Sequence, residues 1–315
     1  MSMKIGAMQI DTSHPLAFGE YMMNDARGRY AGVFNDSFRD DKEIEGFIKR
    51  FELEGGRFDS PDALADYCDV GFVHGCDWDD HMRCAMPFIT RGKPVFIDKP
   101  LVGNIRDLNK LMELSKNGAK ILGASSLRYA RELRQYLDTP VEERGEIMHV
   151  YGTCGVDDFN YGIHIIEGVD ELMGGKAVSA RFAGRGQKGK LICDDYVITY
   201  EDGRTATYTL MSGQWQPFVI TVMTSKTTQA IRVDSNQLYA ALLNEILEEC
   251  SGRSSLMASM DKLAQSVRIA LAARISRAQG GGDVALCDIP EDDPGYDGRA
   301  FWEGYKKAAG PMYAL

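Results

Sequence analysis

Over residues 4–128, short apolar runs alternate with stretches whose apolar residues recur at helical spacing. The runs are 4–10, 30–34, 70–73, 94–97 and 120–124, each of strand length. After the first, Pro15 stands where a helix begins, a position at which its missing N–H costs nothing. After the second, Ile44, Phe47, Ile48 and Phe51 fall three, four and seven residues from the first of them, on one helical face. Residues 79–90 supply the helix after the third run, and Ile105, Leu108, Leu111 and Met112 point one way after the fourth. Such alternation predicts βαβ units, a parallel sheet with helices on both faces.

Beyond Arg128 the pattern changes. A helical segment at 129–137 leads to Gly145, and the strands that follow alternate apolar and polar residues: 178–183, 196–200, 205–210, 218–223 and 230–233. Asp202-Gly203 between two of these runs is a strong hairpin signal. Two amphipathic helices follow, with Leu238, Leu242 and Ile246 inward on one and Met260, Leu263, Val267, Leu271 and Ile275 on the other. From Asp288 an acidic loop leads to an aromatic anchor of Phe301, Trp302 and Tyr305. The expected fold class is therefore α/β over residues 1–125, a doubly wound parallel sheet, joined to an α+β domain over 126–315 with an open, mainly antiparallel sheet. At roughly 100 to 200 residues per domain, two domains suit the length.

Composition narrows the partners. The formal net charge of −10 would repel nucleic-acid phosphates and anionic lipid heads, so neither nucleic acid nor membrane is an expected partner. No window approaches the ~18 to 20 apolar residues of a membrane span. Residues 1–14 hold no signal-peptide core, and the 7 cysteines form no C-x-x-C pair, so a reducing cytoplasm is expected. His74, Cys76, Asp79 and His81 resemble metal ligands only superficially. His74 and Cys76 lie two apart at a strand end and splay, so no metal is expected.

Two elements carry candidate chemistry. In the block 92–101, a lysine before proline is pushed to extended geometry, which sets Lys99 just past the carboxyl end of its strand, where open α/β sheets bind ligands. In isolation it would be a surface lysine beside a structural proline. In Asn160-Tyr161-Gly-Ile-His164, a helix would bring Asn160 and His164 to one face. In isolation that histidine would be a satisfied core residue. Asp98-Lys99-Pro100 followed by Asn-x-x-x-His, at the change from parallel to antiparallel patterning, resembles the glucose-fructose oxidoreductase/inositol dehydrogenase (Gfo/Idh/MocA) family. The resemblance spans nearly the whole chain. It includes HGCDWDDH with His81, a strand at 126–130, the strand after Gly145, and the closing helix ALAARISRAQ.

The resemblance implies a Rossmann domain for NAD or NADP, a second domain carrying the substrate pocket, and hydride transfer at a sugar or polyol hydroxyl. By position, Lys99 and His164 match the family's catalytic lysine and histidine, with Asn160 at the place of its usual aspartate. Arg128 matches a recurrent arginine that bridges the domains or touches substrate, and Tyr161 is a pocket donor or core. Asn35 or Asp36 matches the acid that holds the adenosine ribose, and Arg39 nearby leaves NADP open. Cys76, Asp77, Trp78 and His81 belong to the loop on the nicotinamide side, beside Asp98. The family's exposed sheet face implies a homodimer or homotetramer, for which Tyr196, Ile198 and Tyr200 are suited unless that face is core.

The departures are specific. Asp98 shortens the family's glutamate by one methylene, and Asn160 cannot ionise. The glycine fingerprint is replaced by Gln9-Ile10-Asp11-Thr12-Ser13-His14. Gln9 and His14 would crowd a pyrophosphate and an ionised Asp11 would repel it, whereas Thr12, Ser13 and the free N–H groups ahead of Pro15 can cap the helix or hold a phosphate. The sequence reading is thus an NAD(P)-dependent oxidoreductase acting on a small molecule, with Lys99 as principal base. Its rivals are a lyase-, hydratase- or epimerase-like acid/base enzyme on the same fold, and a nucleotide-sensing protein without turnover.

Overall fold

The computed structural model describes residues 2–123 and 125–308; Ala124, the last residue of the expected fifth strand, lies outside the described residues. The first sheet has five strands: β1 (Met3–Met8), β2 (Gly28–Phe34), β3 (Val70–Val73), β4 (Val95–Ile97) and β5 (Ile121–Gly123). All pair in parallel, in the order β2-β1-β3-β4-β5. The crossovers carry α1 (His14–Met22), α2 (Asp41–Arg50), α3 (Pro61–Tyr67), α4 (His81–Thr90) and α5 (Ile105–Lys116). Ile5, Ala7, Met8, Phe72, Val73, Phe96 and Ile97 are all sealed, which is why these strands read as continuous apolar runs. Helix α2 starts on a capping box between Asp40 and Glu43. The pattern reading had no counterpart to α3, whose seven residues are too few to display a helical period. The order of strands reverses beside β1, so the crevice at the carboxyl ends of β1 and β3 is the place this topology offers a ligand.

After β5 the chain makes a 3-10 turn at Ser126–Tyr129, where a strand was expected. Ser125 accepts the Leu127 N–H there and closes the turn, so the segment has no free edge to join a ladder. Then come α6 (Arg131–Asp138), α7 (Val141–Arg144), β6 (Ile147–Val156), α8 (Gly162–Met173), β7 (Ala177–Lys188), β8 (Leu191–Tyr200), β9 (Thr205–Ser212), β10 (Val219–Thr224) and β11 (Thr228–Arg232). The chain ends with α9 (Leu238–Cys250), α10 (Met260–Ala278), β12 (Val284–Ala285) and α11 (Gly298–Ala308). The second sheet runs β11-β10-β6-β9-β8-β7-β12 and is antiparallel except where β6 meets β9.

One face of that sheet packs on α8 and α10. Tyr196, Ile198 and Tyr200 lie on it, fully buried beside Tyr208 and Val150, so these tyrosines are core and do not offer a surface to a second copy. The other face carries Tyr151, Val197, Thr207, Val219 and Met223 in register, with Tyr151 and Met223 exposed.

Late elements return to the first domain. Tyr239 of α9 packs on His14 and Phe18 of α1. Helix α11 lies against the end of β2, where Trp302 Nε1–H donates to Ser37 Oγ at 2.7 Å and the indole meets the Phe38 ring. The loop before it is fixed by Trp78 Nε1–H donating to Tyr296 O at 2.7 Å and by Gly298 N–H donating to Asp79 at 2.8 Å. Gly103 is required under that indole, because a Cβ there would come within 2.4 Å of Trp78. Among the described residues no helix is long and apolar enough to cross a membrane.

Candidate active site

Lys99 follows β4 directly, on a cis Lys99-Pro100 peptide. It is half-buried, and its Nζ donates to Asn160 Oδ1 at 2.8 Å and to Asn160 O at 3.2 Å, with the Tyr161 ring 5.5 Å away. The partner is thus a neutral amide. Burial lowers the Lys99 pKa below the ordinary lysine value, although Asp98 and Asp157 pull it back up. A lysine held in this way can lose its proton nearer neutrality than an exposed one.

The loop that delivers Asn160 leaves β6 at Val156, a β-branched residue with φ of 76°. Asp157 then accepts the N–H groups of Phe159 and Tyr161 at 3.0 and 2.9 Å, which sets the turn into α8. Because α8 begins at Gly162, Asn160 precedes the helix and does not share a helical face with His164. His164 sits in the first turn of α8, with Nδ1 on the Ser125 hydroxyl. Ser125 N–H donates to Glu167 Oε1 at 3.0 Å, and Glu167 Oε2 accepts Arg128 Nε–H at 2.9 Å. Burial, and then the charge of Lys99, holds the His164 pKa well below the usual imidazole value, so the ring is neutral near pH 7.

Arg128 donates its remaining groups to Glu171 at 2.5 Å and Ser266 at 3.0 Å and is sealed from solvent. It ties the 3-10 turn to α8 and α10.

The turn after β1 is built on side chains. Gln9 has φ of 59°, and its amide donates to Asp36 at 2.6 Å and Asp80 at 3.0 Å and accepts the Asp36 N–H at 3.2 Å. Arg83 pairs with the same two carboxylates. Asp11 is sealed; its Oδ2 accepts the Cys76 N–H at 3.3 Å, while Arg39 donates to its carbonyl at 2.6 Å. Burial pushes the Asp11 carboxyl up to about 6, against the hydrogen bonds from Ser37 and Cys76. Thr12 Oγ1 accepts the His14 N–H at 3.2 Å, and the Ser13 side chain caps no N–H of α1.

His14 turns away from the turn. Its Nδ1 meets Asp98 Oδ2 at 2.7 Å, the oxygen that also takes His74 Nδ1 at 3.2 Å, while Asp98 Oδ1 accepts the Lys99 N–H at 2.8 Å. Burial would raise the Asp98 carboxyl, but the charge and hydrogen bonds of His14 and His74 overcome it and hold it well below the usual range. His74 Nε2 lies 2.9 Å from the Tyr30 hydroxyl, so His74 and Cys76 do point to different partners. His81 bridges Gly75 O at 2.8 Å and Leu101 O at 3.1 Å and pins the loop after β3. Asp77 Oδ1 accepts the Asp79 N–H at 3.2 Å in that loop. Among the described residues no His/Cys/Asp/Glu group is arranged to hold a metal.

A cavity of about 650 Å³ opens at the carboxyl ends of β1 to β3 under α11, lined by Gln9, Asp11, Asp36, Arg83, Arg299 and Trp302 among others. Lys99, Asn160 and His164 do not line it. The Gln9 side chain fills the place a glycine would leave open, so a pyrophosphate has no glycine turn to approach. The surroundings nonetheless fit a dinucleotide. Arg83, Arg299 and Lys306 offer cations and Trp302 an indole face, while Asp11 Oδ1 and Asn35 Nδ2 are buried without a hydrogen-bond partner. At the start of α1 the His14 N–H is taken by Thr12 Oγ1, and the Ser13 side chain caps no N–H.

The structure thus gathers Lys99, Asn160, Tyr161, His164, Asp98 and His14 at the junction of the domains. It gathers Gln9, Asp11, Asp36, Asp77 and His81 around the cavity, with Asn35 and Cys76 behind them. Sequence reasoning did not single out Ser125, Asp157, Arg299 or Trp302 as site residues. The aromatic cluster at 301–305 was a signal for the last of these; nothing local marked Ser125.

No family model matches the chain. Solved structures share its fold. Myo-inositol dehydrogenase from Lactobacillus casei, in complex with NAD(H) and myo-inositol, superposes with a TM-score of 0.76 at 15% identity, covering 90% of this chain and 97% of its own. Scyllo-inositol dehydrogenase from the same organism gives 0.74 at 14% identity, covering 91% and 99%. UDP-N-acetylglucosamine 3-dehydrogenase GnnA from Acidithiobacillus ferrooxidans gives 0.71 at 14% identity, covering 88% and 97%. The two-domain dehydrogenase fold implied by the resemblance is the fold observed.

Proposed function

We propose that the chain is an NAD(P)-dependent oxidoreductase that transfers hydride at a hydroxyl-bearing or keto carbon of a sugar, polyol or related small molecule. The carrying observation is Lys99, a half-buried lysine at the carboxyl edge of the parallel sheet, held by an amide and with its proton loosened by burial. The names of the solved structures with this fold support the substrate class.

When bound, NAD(P)+ supplies the hydride acceptor. The chain's residues handle the proton. Neutral Lys99 Nζ takes the hydroxyl proton, Asn160 keeps Nζ oriented through two acceptors, and His164 hydrogen-bonds the same oxygen. Asp36, Asn35, Arg83, Arg299 and Trp302 are the residues that would hold the nucleotide, with either NAD or NADP. The open face of the second sheet is proposed to join copies into a homodimer or homotetramer.

Titration with NADH and with NADPH, read by nicotinamide fluorescence, tests this reading. Saturable binding by the wild type is expected. In Lys99→Ala the binding should persist while oxidation of a polyol panel is lost. Oxidation by Lys99→Ala at the wild-type rate would sink the role of Lys99.

One observation favours a second reading. Asp11, Asp36, Asp77, Asp79 and Asp80 all line the cavity, an acidic setting for a diphosphate. If neither nucleotide binds, Lys99 and His164 serve a non-redox proton-transfer reaction such as elimination or epimerisation.

A further inference from the structure

We propose that α11 is the phosphate-binding element of the cavity at the carboxyl ends of β1 to β3, with Arg299 and Lys306, gathered around Trp302, meeting a phosphate group of the bound nucleotide. The inference rests on the nucleotide reading above and deepens it, by naming the part of the chain that supplies what the missing glycine turn does not.

The cavity is acidic. Asp11, Asp36, Asp77, Asp79 and Asp80 line it, together with His81, Arg83, Arg299 and Lys306. Two of the basic groups are committed. Arg83 donates to Asp80 at 2.5 and 2.6 Å and to Asp36 at 2.9 Å. Both ring nitrogens of His81 are taken by backbone carbonyls, Gly75 O and Leu101 O. Arg299 and Lys306 differ. The carboxylates that Arg299 approaches, Asp77 and Glu303, stay 3.9 Å away, beyond hydrogen-bond reach. Lys306 forms no ion pair among the described residues. The uncommitted cations of the cavity are therefore both on α11.

Residues 299, 302 and 306 are spaced three and four apart and share one face of that helix. Arg299 Cζ lies 3.9 Å and Lys306 Nζ 5.1 Å from the centre of the Trp302 indole. Two charges centred on one ring act on the same phosphate, and their flexible stems let either reach it.

The indole is fixed in turn. Its Nε1–H donates to Ser37 Oγ at 2.7 Å and its ring meets Phe38 at 5.7 Å, both on the loop after β2. On the loop after β3, Asp79 accepts the N–H groups of Gly298 and Arg299 at 2.8 and 3.4 Å, and Trp78 packs on Phe301 at 4.9 Å. Gly298 is the one sealed residue of α11, and a Cβ there would come within 2.7 Å of Asp77 Oδ1. The helix thus owes its place to the rim of the cavity and not to core packing. With Gln9 in the glycine position and Asp11 behind it, a phosphate is held from the α11 side. Two phosphates of a dinucleotide suit the pair: the diphosphate bridge and the 2′-phosphate that distinguishes NADP.

Isothermal titration of the full-length protein with ADP-ribose, NADH and NADPH reads this by binding alone. The double variant Arg299→Gln, Lys306→Gln is compared with Lys307→Gln, an exposed lysine of the same helix that does not line the cavity. The double variant should bind at least about tenfold more weakly, as loss of a charge-assisted hydrogen bond requires. Its unfolding midpoint should match the wild type, because both side chains are exposed, and Lys307→Gln should bind as the wild type does. A loss shared by all three ligands assigns the pair to the diphosphate, and a loss confined to NADPH assigns it to the 2′-phosphate. Unchanged affinities in the double variant, or an equal loss in Lys307→Gln, overturn the inference and leave the nucleotide reading in place. ADP-ribose binding that depends on the pair, in a protein that oxidises nothing in the polyol panel, keeps the phosphate site and removes the redox reading. A wild type that binds none of the three ligands removes both.

Discussion

Asp11 shows how much one side chain changes at the turn where a dinucleotide fold ordinarily keeps glycine. Its carboxyl is sealed, one oxygen has no partner, and burial moves its pKa from 3.8 to about 6. The folded protein therefore keeps a proton that the unfolded chain releases from about pH 4 upward. Stability from this residue is complete below the unfolded value and is lost as pH rises through about 6. The shift corresponds to about 3 kcal/mol. Asp11→Asn keeps an acceptor for the Cys76 N–H and removes the titration. Denaturant unfolding at pH 4.5 and 7.5 should show the wild type losing stability over that interval and the variant losing about 2 kcal/mol less of it, the rest of the effect falling below pH 4.5. Equal losses in both proteins would mean that Asp11 is ionised throughout. Near pH 7, above that value, Asp11 is mostly ionised, so the repulsion of a phosphate that the sequence presented stands.

At the scale of elements, the site depends on how the 3-10 turn at Ser126–Tyr129 is bolted to α8. Arg128 is the bolt, sealed among Glu167, Asp170 and Glu171. Arg128→Ala would leave those carboxylates without their central cation, at a cost of about 3–5 kcal/mol. Unfolding by urea should show a lower midpoint with an unchanged slope, and Arg128→Lys should recover only part of the loss, because an ammonium cannot reproduce the guanidinium fork. A loss below about 1 kcal/mol would indicate that the carboxylates are neutral and need no partner.

What was legible beforehand follows from the same elements. A short apolar run ended by Lys99-Pro100 announced its place at the sheet's edge, and His164 lay in a segment apolar enough to be helical. The 3-10 turn was not legible, because Ser-Leu-Arg-Tyr has the composition of a strand and is diverted by one serine hydroxyl. The positive φ at Val156 and Gln9 was not legible either. Neither residue type favours it, so it is imposed by the surrounding contacts.

For the whole molecule, the net charge of −10 and the open face of the second sheet act in opposite directions on self-association. The charge opposes contact between copies in general, and salt screens that opposition beyond about 10 Å at 0.1 M. The open face is where the proposed contact between copies lies. Tyr151, Val197, Val219 and Met223 stand on neighbouring strands among threonines, with no helix among the described residues over them. Tyr196, Ile198 and Tyr200 play no part, since they already form the core on the opposite face. The proposed homodimer or homotetramer should therefore depend on Tyr151 and Met223, which cross-strand pairing places close together through β6 and β10. Light scattering of the wild type at micromolar concentration in 0.15 M salt should give a mass at least twice 35.0 kDa. The double variant Tyr151→Asp, Met223→Asp places a charge on each side of every copy's contact, and should elute as a monomer with an unchanged far-UV spectrum. A monomeric wild type, or a double variant that keeps the wild-type mass, would rule out this face as the interface and return the exposed tyrosine and methionine to the category of ordinary surface residues.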